Sequence, residues 1–110
     1  MDEMYSGQVN SPATTLAGDI DAAVTTIPLI DASILPAGPN IATIGNGNNA
    51  ETIKYTSKVG NSLTGVTRGF QGTAKFWATG EQVARRYTEY DHAAFIKNIK
   101  KAIAIGIAMN

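Results

Sequence analysis

The sequence predicts a mainly β protein, a small β-sandwich or barrel of about six or seven strands. An extended N-terminal arm over residues 1–13 precedes the β-domain of residues 14–87, and a helix over residues 88–110 follows it. Three observations predict this. Turn signals recur about every 8–12 residues through the middle of the chain, the spacing of a small sandwich or barrel. The intervals between them are short and rich in Thr, Val, Ile and Leu. After Thr88 the apolar period changes from that of a strand to that of a helix.

The arm carries Gly7, Asn10, Ser11 and Pro12 and no apolar periodicity, so it is expected to be free or to order on a partner. Thr14–Ile20 and Thr25–Ile30 read as strands around a turn at Asp21. Pro28 cannot donate to a ladder, which places the second at an edge or breaks it. Residues 31–40 form a loop with two prolines and room for one helical turn capped by Asp31. Ile41–Gly45 is a strand, and Asn46-Gly47 supplies the positive φ of a tight hairpin turn. In Glu51–Ser57, Glu51, Ile53 and Tyr55 alternate with Thr52, Lys54 and Thr56; Ile53 and Tyr55 are expected to face inward. Lys58–Asn61 turns the chain into Ser62–Thr67, and strand character returns at Gln82–Tyr87.

Thr88 is a helix N-cap residue, with Asp91 three positions on approximating a capping box. Ile96, Ile99, Ile103 and Ile107 then lie on one helical stripe, with Lys97, Lys100 and Lys101 off it. Residues 102–109 also alternate with period two, so a strand stays open beside the preferred helix. In either form this end is too apolar to stand in water and packs on the domain or between subunits.

At 110 residues and 11.6 kDa the chain makes one domain. Nine basic residues balance nine acidic ones, which argues against nucleic acid as a partner. Charged residues are 16% of the chain, below the roughly 25% of an average domain, so much of the surface is expected to face protein. Without cysteine, disulfides and thiolate chemistry are excluded. Residues 1–6 lack the basic start and apolar run of a signal peptide, and the longest apolar run, residues 102–109, is far short of the about 20 a membrane helix needs. A protein that is soluble, unexported by its own sequence and not membrane-bound is expected.

The loop after Thr67 concentrates the candidate functional residues. Arg68 is expected to hold loop carbonyls, or a carboxylate such as Glu51 or Glu81, pinning a loop whose bends fall at Gly69, Gly72 and Gly80. Phe70, Phe76, Trp77 and Tyr87 read as a core or interface cluster, with Trp77 and Phe70 as interface anchors; a sugar-stacking platform on Trp77 and Tyr87 is the rival. His92 is the only histidine, which leaves no imidazole relay and no histidine pair for a metal. The Asp and Asn residues at 19, 21, 31, 46, 48 and 49 match no calcium loop. Gly65–Gly72 lacks the Gly-Lys-Ser/Thr of a phosphate loop. No catalytic, cofactor-binding or metal-binding residue is assigned, and no enzyme is expected.

Several runs carry a resemblance: Ser11-Pro-Ala-Thr-Thr-Leu to Asp19-Ile, Asp31-Ala-Ser-Ile-Leu-Pro, and Glu51-Thr-Ile-Lys-Tyr-Thr-Ser-Lys. With them go Asn61-Ser-Leu-Thr-Gly-Val-Thr-Arg-Gly-Phe-Gln-Gly-Thr, Trp77-Ala-Thr-Gly-Glu-Gln-Val-Ala-Arg and Tyr90-Asp-His-Ala-Ala-Phe-Ile-Lys-Asn-Ile. Over about residues 11–99 the chain resembles a small β-domain of tailed-bacteriophage virion proteins, an attachment module near the start of tail-fibre, baseplate and appendage proteins. Such modules usually continue into a fibre or further domain, whereas this sequence stops at Asn110, so an adaptor, plug, collar or decoration subunit is expected over a receptor-binding one. The resemblance implies a structural protein of the virion, made in the host cytoplasm and sited on the tail or baseplate. Its partners would be other virion proteins and further copies of itself, a trimer by preference through the Ile96–Ile107 stripe. A capsid decoration, head-fibre or collar protein is the alternative, and a carbohydrate-binding module the third.

Overall fold

A computed structural model describes residues 3–8, 10 and 12–109, with side chains among these as far as Lys100. Eight strands form among them: β1 (Ala13–Thr15), β2 (Ile27–Pro28), β3 (Asn40–Ile44), β4 (Glu51–Tyr55), β5 (Ser57–Val59), β6 (Ser62–Thr64), β7 (Thr67–Gln71) and β8 (Gln82–Ala84). A single α-helix, α1, spans Glu89–Met109. The larger sheet runs β1-β8-β3-β4-β7 and the smaller β2-β6-β5, with every pairing antiparallel. The protein is a small β-sandwich with a C-terminal helix.

One bent hairpin joins the two sheets. β4 pairs with β7 in the large sheet, and β5, its continuation past Thr56, pairs with β6 in the small one. The amide of Thr56 still donates to Thr64 O at 3.0 Å, which carries the ladder round the corner. Opposite Thr56 stands Gly65 at φ +60, where a β-carbon would overlap the Thr56 hydroxyl. Only glycine combines that backbone with that approach. The predicted continuous strands Glu51–Ser57 and Ser62–Thr67 are therefore each two strands, which raises the count from six or seven to eight.

Other boundaries shift for local reasons. Thr14–Ile20 keeps only β1, and Thr25–Ile30 only β2; beyond them Leu16 bridges Leu29 and Ile20 bridges Trp77. Asp21 forms the expected turn by accepting from the amides of Ala23 and Val24. Pro28 does lie on an edge strand. The β3–β4 connection is longer than the tight turn expected at Asn46-Gly47, with Gly45 and Gly47 both at positive φ and one 3-10 turn over Gly47–Asn49. Asp31 caps a second 3-10 turn, Ala32–Ile34, by accepting from Ser33 N at 2.9 Å.

The core lies between the sheets, where Leu16, Ile27, Leu29, Ile44, Ile53, Tyr55, Leu63 and Val83 are buried. Residues that alternate with these form a second layer on the outer face of the large sheet. Ile41, Ala84 and Ala94 are buried there outside the main core. The arm and the base of α1 cover that face: Tyr5 lies beneath Lys54 Nζ at 5.7 Å and against Tyr90 at 5.6 Å, and Tyr90 meets Phe70 edge-on at 5.0 Å. The arm is thus neither free nor waiting for a partner over residues 3–8; its own helix and sheet hold it.

The helix begins in a reciprocal capping box. Asp91 N donates to Thr88 Oγ1 at 3.2 Å, and Thr88 N donates to Asp91 Oδ2 at 2.9 Å. Residues 102–109 continue the helix, which settles the strand alternative. At about 1.5 Å per residue α1 is roughly 31 Å long, and the molecule measures 55 × 26 × 24 Å. Its radius of gyration of 15.4 Å exceeds the about 13 Å of a compact chain this long.

Candidate docking surface

Two buried ion pairs position the surface, and both grow out of strand geometry. The first sits where β7 bulges. From Thr67 to Gln71 the chain takes four steps while its partner takes two, Lys54 to Thr52. Gly69, at φ +59, makes the bulge possible. Arg68 thereby reaches inward to Glu51, which lies in phase with Ile53 and Tyr55 and is fully buried. Nε donates to Glu51 Oε2 at 2.8 Å and Nη2 to Oε1 at 2.9 Å. The other Arg68 hydrogens go to the carbonyls of Lys75 at 2.8 Å, Val24 at 3.4 Å and Asp21. Gly69 N at 2.9 Å, Trp77 Nε1 at 3.0 Å and Lys75 N at 3.3 Å complete the donors on Glu51.

Burial pushes the Glu51 carboxyl up, but Arg68, the Gly69 amide and the Trp77 indole outweigh it and hold it below its ordinary value. Five donors from two segments, residues 68–69 and 75–77, meet on one carboxylate. It ties the loop after β7 to β4 through Lys75 N and Trp77 Nε1.

The second pair sits under the helix. Arg85 Nη1 and Nη2 each lie 2.8 Å from an oxygen of Asp91. Nε donates to Asn40 Oδ1 at 2.8 Å and Ser6 O at 3.0 Å, and Nη2 also reaches Tyr5 O at 3.1 Å. Asn40 Nδ2 returns to Ser6 O at 3.0 Å, and Tyr90 Oη donates to Glu3 O at 2.7 Å. Burial raises the Asp91 carboxyl, but Arg85 and the Thr88 amide pull it below its usual range. Burial first, then the neighbouring Glu3, pushes the Tyr5 phenol up. Arm, β3, the end of β8 and the helix base are locked together at this point, so α1 leaves the domain at a fixed angle.

The helix face that meets the domain is Asp91, Ala94 and the half-buried Asn98. At roughly 100° per residue, Ile96 and Ile99 centre about 140° round the helix from it. They are 36% and 37% exposed, and the neighbouring Phe95 is 46% exposed. The side chains of Ile103 and Ile107 lie outside the described residues. Phe95, Met4, Gly7 and Tyr87 line a cavity of about 370 Å³ beside the arm, so apolar surface continues from the helix onto the domain.

No known family's model matches this chain, and no curated protein matches it.

The expected loop residues divide between two places. Arg68, Gly69 and Trp77 converge on Glu51. Glu81, the other acid considered for Arg68, instead accepts from Gln82 N at 3.3 Å. A β-carbon on Gly72 would stand 2.6 Å from Ala50 O, and Gly80, at φ +90, donates to Leu16 O at 2.9 Å. Phe70 departs from the expected aromatic cluster and packs on Tyr90 instead. Trp77 is half-buried against the core, with Lys75 Nζ 4.6 Å from its ring centroid. Tyr87 is exposed and stands edge-on to His92.

Asp19 does not gather with the other turn acids; Thr79, through its amide at 2.7 Å and hydroxyl at 2.8 Å, holds its carboxyl below the usual range. Among the described residues no group of three His, Cys, Asp or Glu could hold a metal ion, and no helix is long and apolar enough to cross a membrane. The Arg85–Asp91 pair was not foreseen. Its one signal is that Arg85 falls in phase with Val83, so an inward cation needed an acid.

Proposed function

We propose that this chain is a non-catalytic structural subunit of a tailed-phage virion, an attachment or adaptor piece on the tail or baseplate side that works by protein–protein docking. One observation carries the reading: Ile96 and Ile99 stand exposed on the side of α1 turned away from the domain, and the exposed Phe95 lies between them and the cavity beside the arm. A helix gains its stability from burying an apolar face, and this one leaves its apolar face uncovered while burying Asp91 and Ala94. The Arg85–Asp91 clamp supports the same reading, because a fixed exit angle is what a symmetric seam between copies requires. The Leu-Thr-Gly-Val-Thr-Arg-Gly run, whose arginine and glycine hold the Glu51 anchor, carries the likeness to phage attachment domains.

The docking is geometric. The sandwich presents its loops and edge strands to other virion proteins, and helices from several copies bury their isoleucines around an axis. Washed particles of the phage that encodes the chain should retain it at a fixed stoichiometry by quantitative mass spectrometry. Its loss from particles at moderate salt, with the chain found only in the free lysate, would overturn the reading.

A further inference from the structure

Arg68 and Arg85 are the hubs of the two buried clamps; the third arginine is not. Arg86 makes no hydrogen bond or ion pair through its side chain among the described residues, and its Nε is buried without an acceptor. A buried donor left unpaired is costly, and for a cation more so. Arg86 lines a groove of about 380 Å³ on the outer face of the large sheet. One side is formed by Thr43 and Thr52, whose hydroxyls are 3.4 Å apart. That exceeds the 2.5–3.0 Å of a good hydroxyl hydrogen bond, so both keep capacity for another partner. Gln71 and Gly72, at the end of the edge strand β7, form another side.

We infer that this groove receives a carboxylate, the side chain of an aspartate or glutamate on an extended segment of the docking partner. The inference rests on the docking function proposed above and names the chemistry of one contact. The guanidinium is a planar fork of donors that matches a carboxylate in two parallel hydrogen bonds, and it pairs best where water is excluded. The threonine hydroxyls supply donors beside it. The edge position at Gln71 and Gly72 gives an extended backbone somewhere to lie. Glu89 lies on the rim of the same groove and forms no ion pair with Arg86. Its charge repels a multiply charged anion more strongly than a single carboxylate.

Arginine Nε–Hε correlations of the full-length 15N-labelled chain test this. Only three such signals exist; Arg68 and Arg85 hold theirs in buried hydrogen bonds, and Arg86→Lys removes the third and so assigns it. Titration with the capped peptide acetyl-Gly-Glu-Gly-amide should move the Arg86 signal saturably and leave the other two in place. The glutamine peptide should bind roughly tenfold more weakly, since it lacks the charge that strengthens such bonds. No saturable shift, or an equal shift with the glutamine peptide, would overturn the assignment. So would inorganic phosphate saturating the signal more tightly than the glutamate peptide, which would make the groove a general anion site. Neither the peptides nor Arg86 touch the isoleucine stripe, so failure here is separable from failure of assembly through α1.

Discussion

Replacing Glu51 with glutamine takes one acceptor oxygen from a carboxylate on which Arg68, Gly69, Lys75 and Trp77 all converge. Glu51 is fully buried and Arg68 nearly so. In Glu51→Gln, whichever way the amide turns, its NH2 meets donors already aimed at that position: Arg68 Nε and Gly69 N on one side, or Arg68 Nη2, Lys75 N and Trp77 Nε1 on the other. The Arg68 charge also loses its counter-ion in a dry site. Breaking a buried pair from one side costs about 3–5 kcal/mol. Unfolding entropy of about 2.1 cal/mol/K per residue gives roughly 0.23 kcal/mol/K for this length, so Tm should fall by about 13–22 °C. Urea titration at pH 7 followed by circular dichroism measures the loss. Fluorescence of Trp77, the only tryptophan, reports the node directly through its indole bond to Glu51. The double variant Glu51→Leu with Arg68→Met should cost less than the sum of its singles, because neither partner is left charged and alone. A loss below about 1 kcal/mol for Glu51→Gln, or strict additivity in the cycle, would refute the reasoning.

The other clamp predicts a local effect as well as a global one. Arg85→Met leaves Asp91 buried without its cation and should cost about 3–5 kcal/mol. Hydrogen exchange should rise first in residues 3–8 and the first turn of α1; uniform acceleration across the sandwich would contradict the clamp. Gly65→Ala places a side chain at φ +60 against Thr56 and should destabilise by about 2 kcal/mol or more, from left-handed backbone plus overlap. A neutral effect in urea would mean that the sheets do not turn on this residue. Glu51 and Asp91 both have folded-state pKa values below their ordinary ones. Their contribution is therefore complete above the unfolded values of about 4.3 and 3.9 and is lost as pH falls through the lower folded ones. Urea midpoints should hold steady from pH 7 to 5 and drop below about pH 4, and a drop centred near pH 6 would contradict this.

The strand content and the helix were readable because they rest on local pattern. The Thr88 to Asp91 spacing gave the capping box, and Asn-Gly and Asp turns located the bends. The sheet switch was not readable. Nothing in Glu51–Ser57 marks Thr56 as a corner, since the break is set by Gly65 across the hairpin, a contact nine residues away in sequence. The Arg68–Glu51 pair was half visible: the arginine needed a carboxylate, and Glu51 was one of two acids in view, in phase with Ile53 and Tyr55. What pointed away from burial was its charge alone. The arm was misread for a similar reason. Residues 3–8 have no periodicity of their own, and what orders them is the backbone carbonyls of Tyr5 and Ser6 meeting Arg85, a bond that no local signal predicts.

The most direct test of the account is the native mass of the full-length chain beside Ile96→Asp with Ile99→Asp, by light scattering at matched concentration. Assembly through α1 predicts a defined oligomer, three times 11.6 kDa by preference, that falls to monomer in the variant while the sandwich keeps its melting temperature. A full-length chain that stays monomeric across the concentration range, or a variant with unchanged mass, would contradict it.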